Sequence, residues 1–136
     1  GPEFTVLIVG SYNKPSQAKI YTPVERIFHP SLPDKEKFLS FDRLWEIYED
    51  EDPMPNEGNF YEYETPDAAL IDTIQKISWD AYVACKGKAQ CGLSEDENYT
   101  SIGAILRVSD KTFAELVIEI INDAFLRTRL ATDYTN

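Results

Sequence analysis

Apolar positions recur along this chain with two different periods, and the change from one to the other follows the prolines. All eight prolines fall at or before Pro66. The first half is therefore expected to be extended or broken, and the second half free to form long helices. Thr5-Val6-Leu7-Ile8-Val9 is a short β-branched run ending in the turn cluster Gly10-Ser11-Tyr12-Asn13-Lys14-Pro15. Ala18 to Tyr21 and Val24 to Phe28 follow, interrupted by Pro23. This pattern predicts a strand, a turn and an edge strand broken at Pro23, stopped by His29-Pro30-Ser31-Leu32-Pro33.

From Asp34 to about Asp50 the period becomes helical, with Phe38, Phe41, Trp45 and Tyr48 on one face. Pro33 suits its first turn, and Pro53 ends it. Pro53 to Asn59 reads as a loop, and Phe60 to Glu64 as a short strand with Tyr61 and Tyr63 on one side. Next comes a helix from about Pro66 to Lys86, with Thr65 as N-cap, Pro66 at its first position and Gly87 just past its end. Leu70, Ile71, Ile74, Ile77, Ala81 and Cys85 mark its apolar face, and Asp72 is placed to pair with Lys76. Trp79 to Cys85 alone also fits a strand.

Ser94-Glu95-Asp96-Glu97 has the form of a capping box, and Tyr99, Ile102 and Leu106 continue with helical spacing. The β-branched stretch Ile102 to Val108, with Gly103, leaves a strand open there. Ser109 or Asp110 is expected to cap a last long helix whose apolar arc is Phe113, Leu116, Val117, Ile120, Ile121 and Ala124. That helix reads as the centre of the core. The fold class is α+β, helix-rich, with an N-terminal β-hairpin and three to four helices. Gly1-Pro2-Glu3-Phe4 resembles the remnant of a protease-cleavage and cloning step. Residues 5–136 read as a single domain, with an acidic connector at about 49–64.

Charge adds a place to this outline. The chain has 24 Asp and Glu against 13 Lys and Arg, a net charge of −11. From Leu44 to Gln75 there are ten carboxylates and no Lys or Arg, so nearly all of the imbalance lies in that block. It also holds Trp45, Tyr48, Phe60, Tyr61 and Tyr63. Such a balance argues against a nucleic-acid backbone or an anionic membrane surface as ligand and favours basic proteins or peptides. The plain alternative is that surface acid only confers solubility. No apolar run reaches the ~18 residues of a membrane span, and no signal peptide is evident. Two cysteines make no disulfide framework, so a reduced, intracellular setting, cytoplasm or nucleus, is expected.

Catalytic chemistry finds little support in these residues. His29 is the single histidine and precedes Pro30 in a turn. Cys85 and Cys91 are spaced C-x5-C, unlike a redox or zinc pair, and one histidine with two cysteines cannot build a zinc site alone. Whether they bridge is left open. Asn98-Tyr99-Thr100 fits a glycosylation triplet, which needs a secretory route. Glu49-Asp50-Glu51-Asp52 lacks the alternation and central glycine of a calcium loop, and Pro53 and Pro55 intrude. Consecutive solvated acids do not form the separated pair of a glycoside hydrolase. Val6-Leu7-Ile8-Val9-Gly10 lacks the further glycines of a dinucleotide fold. The same opening resembles the first hairpin of longin-type trafficking domains, over this short stretch only and without a diagnostic motif.

The expectation is a non-catalytic adaptor or assembly domain with no cofactor, no metal site and no catalytic residues. Its partner surface is drawn from Glu49, Asp50, Glu51, Asp52, Glu57, Tyr61, Glu62, Tyr63 and Glu64. The partner class is a protein or peptide with a basic segment, a histone or other nuclear protein among them, without direct nucleic-acid contact or membrane insertion. The alternatives are a trafficking-type or obligate assembly domain that binds through apolar helix faces, and a small enzyme whose site the motifs do not show.

Overall fold

A computed structural model describes residues 1–40, 59–86, 96 and 100–132. Within these the chain is α+β, as expected, with strands first and helices after. Strands β1 (Glu3–Thr5), β4 (Val24–Phe28) and β5 (Tyr61–Glu64) form an antiparallel sheet in the order β1-β4-β5. Strands β2 (Ile8–Val9) and β3 (Lys19–Ile20) form a separate hairpin, with Ile8 opposite Ile20. Three helices follow: α1 (Ala68–Ala84), α2 (Ser101–Val108) and α3 (Phe113–Thr132).

The hairpin turn depends on Gly10. Its φ is +130°, a conformation that L side chains rarely adopt, and a Cβ there would lie 2.6 Å from the Ala18 backbone. The strand expected at Val24 is present, but it is the centre of its sheet and not an edge. Pro23 lies just before the first ladder residue, so its missing N–H interrupts no pairing. Glu3 and Phe4, set aside above as a cloning remnant, lie in β1 and pair with Arg26 and Glu25.

The expected helix from Asp34 is not seen over its first residues. A single 3-10 turn, Asp34–Glu36, ends at Lys37, whose ψ of 67° leaves helical space. Pro33 supplies no side-chain acceptor for the first N–H groups, which weakens that start. Residues 38–40 are not helical either, and residues 41–50 of that expected helix lie outside the described residues. So do the loop at 53–58, Gly87, the capping box at Ser94, the Asn98 triplet and Cys91.

Helix α1 starts at Ala68 because Asp67, not Thr65, caps it: its carboxylate accepts from the Ala69 N–H at 2.9 Å. Lys86, with φ 56°, takes the left-handed position after its end, and its N–H donates to the Val83 carbonyl. Lys76 pairs with Asp80 at 2.6 Å in place of the expected Asp72.

Residues 101–108 are helical. Thr100 caps α2 by accepting from the Gly103 N–H at 3.1 Å. Asp110, with φ 50°, ends it in a Schellman motif: Asp110 N–H donates to the Arg107 carbonyl and Lys111 N–H to the Leu106 carbonyl. Ser109 and Asp110, expected to start the last helix, thus finish the previous one. The start of α3 belongs to a Thr-x-x-Glu capping box. Thr112 N–H donates to Glu115 Oε2 at 2.8 Å, and Glu115 N–H donates to Thr112 Oγ1 at 3.2 Å. The backbone donor at Thr112 holds the Glu115 carboxyl below its ordinary range.

The core is not centred on α3. Five consecutive residues of α2 are buried, Ile102 through Leu106, and they pack with Leu7, Tyr21, Val24, Tyr63 and Leu116. Gly103 and Ala104 let the helix backbone approach the sheet, and Ile105 fills the space between. Ile102 to Leu106 offer no polar position between them, and a short apolar run does not by itself separate a buried helix from a strand, so this stretch also fitted a strand. Among the described side chains of α3, Leu116 is the one in that cluster; Phe113 and Ile120 pack at its margin. Among the described residues no helix is long and apolar enough to cross a membrane.

Candidate functional site: the outer face of the sheet

Successive side chains of a strand point to opposite faces, so the ladder register sorts the candidate residues. Arg26 is directly opposite both Glu3 and Tyr63, and Phe28 is opposite Tyr61. This set faces the core. Glu25 is opposite Phe4 on one side and Glu64 on the other, and Ile27 is opposite Glu62. This set faces outward, with Ile27, Glu62 and Glu64 exposed. Tyrosines and acids that alternate in sequence therefore lie on opposite sides of the sheet.

Tyr63 is only 6 % exposed and belongs to the core. Its hydroxyl accepts from Arg26 Nη2 at 2.9 Å, and its ring stands edge-on to Tyr61 with centroids 5.6 Å apart. The Arg26 guanidinium lies 4.9 Å from the Tyr61 ring centroid and 5.4 Å from that of Tyr63, and Nη1 pairs with Glu3. Burial opposes the Arg26 charge, but hydrogen bonds with Tyr63 and Glu3 outweigh it and raise its pKa. Tyr63 thus packs around a paired cation, and the half-buried Tyr61 shares its side of the sheet, opposite to that of Glu62 and Glu64. Of the expected surface, Glu62 and Glu64 remain together, while Glu49, Asp50, Glu51, Asp52 and Glu57 lie outside the described residues.

The sequence reading missed Glu25 and Ile27, which complete this face. Val24-Glu25-Arg26-Ile27-Phe28 alternates too, and treating it as a broken edge strand hid the pairing of Glu25 with Glu64. Two carboxylates directly opposite on neighbouring strands repel. No Lys or Arg occupies an outward position of these three strands. The side edge of the sheet is less available than its face, because Arg107 Nη2 donates to the Tyr63 carbonyl at 2.8 Å.

A second polar cluster joins the hairpin to α3. The Glu119 carboxylate accepts from Lys111, from the Tyr21 hydroxyl and from Lys19, the last at 3.3 Å. Burial, the hydrogen bond to Glu119 and the charge of that carboxylate push the Tyr21 hydroxyl up to about 12. Burial also acts to raise the Glu119 carboxyl, but its hydrogen bonds from Lys111, Tyr21 and Lys19 prevail and hold it below its ordinary range. Tyr21 is raised in the folded state, so its contribution to stability is complete below the ordinary tyrosine value of 10.0 and is lost as pH rises towards about 12. Glu119 is lowered, so its contribution is complete above the ordinary value of 4.5 and is lost as pH falls below it. In an alkaline titration followed by tyrosinate absorbance, a component should ionise near 12, and Tyr21→Phe should remove it. Persistence of that component in Tyr21→Phe would refute the assignment.

The remaining chemical candidates are plainly placed. His29 is exposed, and its Nδ1 accepts from the Ser31 N–H at 3.2 Å with Ser31 Oγ at 2.7 Å, all within its own turn. Cys85 is an exposed free thiol at the end of α1. Among the described residues no group of three or more His, Cys, Asp or Glu could hold a metal ion. No family model matches the chain, and no curated protein or solved structure matches it at a significant level.

Proposed function

We propose that this is a non-catalytic protein-interaction domain that takes a basic segment of a partner protein on the outer face of its sheet. The observation that supports it is the ladder register that sets Glu25 against Glu64 and Glu62 against Ile27, with no cation among the outward positions. Three carboxylates around an exposed isoleucine suit Lys or Arg heads with their aliphatic stems on Ile27. The chemistry fits a histone-like or other Lys/Arg-rich protein. Glu49, Asp50, Glu51, Asp52 and Glu57 stay in the proposal as the charge that precedes β5 in sequence.

The attraction is solvent-exposed, so it should be strongly screened. Binding of a Lys/Arg-rich peptide, followed by calorimetry, should weaken steeply between low and high salt. The triple substitution Glu25→Gln, Glu62→Gln and Glu64→Gln should weaken it about tenfold, at a few tenths to 1 kcal/mol for each exposed pair. The same substitutions should leave the fold intact and raise its stability by up to about 1 kcal/mol, since they relieve the cross-strand repulsion. Equal affinity at low and high salt would sink the mechanism.

A second reading, assembly through apolar helix faces, is favoured by the exposure of α1. Leu70 and Ile77, two helical turns apart on its outward side, are 45 % and 63 % exposed. On this reading sedimentation velocity should show a species larger than one chain, and Ile77→Glu should reduce it to the single chain. A single-chain mass for the unsubstituted protein, alone and with its partner candidates, would discard this reading.

A further inference from the structure

We draw no further inference here: the strongest candidate, the apolar stripe on the outward side of α1 at Leu70 and Ile77, belongs to the second reading above, and nothing in the structure shows what covers it.

Discussion

Replacing Ile105 by alanine is expected to lower the unfolding free energy by about 2–5 kcal/mol, the range for truncating a large aliphatic side chain in a packed core. Ile105 has no exposed surface and sits in α2 between the sheet and Leu116. The upper part of the range is the better expectation, because the surroundings have little freedom to collapse into the gap. On one side β4 is fixed by ladders to both β1 and β5. On the other, the Schellman motif and the Thr112–Glu115 capping box hold the α2–α3 corner in one geometry. Urea unfolding of the variant should show a lower midpoint with an unchanged slope. A loss below about 1 kcal/mol would mean that α2 is not the centre of the core.

Arg26→Ala should be the next most damaging change, at about 2–4 kcal/mol. Truncating one partner of a buried charge pair costs about 3–5 kcal/mol, and the partial exposure of Glu3 moderates that here. The substitution removes three things together: the ion pair to Glu3, the donor to the Tyr63 hydroxyl, and the cation over two tyrosine rings. The Tyr63 hydroxyl would lose the arginine donor beside the core. Arg26→Met should recover part of the loss by restoring the stem against Tyr61. Arg26→Lys should not do better, because an ammonium cannot reach Glu3 and Tyr63 with the spread of a guanidinium. Chemical denaturation of the three variants checks the order. Equal stability of Arg26→Ala and the unsubstituted chain would show the cluster to be incidental.

The sequence was most informative where one local signal acted alone. The alternation of Phe60 to Glu64 marked β5, and the cluster from Gly10 to Pro15 marked the hairpin turn. It misled where two local signals competed. Thr65 and Asp67 can both cap a helix, and the choice falls to the residue whose carboxylate reaches Ala69. Ser109 and Asp110 look like helix starters, but Asp110 tolerates the left-handed conformation that α2 needs in order to end. The inward side of α1 was misread by a fraction of a turn because its inward groups include polar ones. Gln75 donates to the Tyr21 carbonyl at 3.1 Å, and the Tyr82 hydroxyl donates to the Gly10 carbonyl at 2.6 Å. A pattern based on apolar residues alone ranks neither. The candidate surface was half legible: Glu62 and Glu64 carry their charge in the sequence, but Glu25 joins them only through strand pairing across 38 intervening positions, from Glu25 to Glu64.

Helix α1 has no buried residue. Its hydrogen bonds from Gln75 and Tyr82 end on carbonyls at the hairpin, those of Tyr21 and Gly10. A segment fastened by polar contacts at its flank can lift away while the rest of the native structure persists, at a free energy well below that of global unfolding. Amide exchange is therefore expected to be faster along the seventeen residues of α1 than in the sheet, α2 and the start of α3. Opening of α1 would bare the Tyr21 carbonyl and the hairpin turn to water without dismantling the strands that carry Glu25, Glu62 and Glu64.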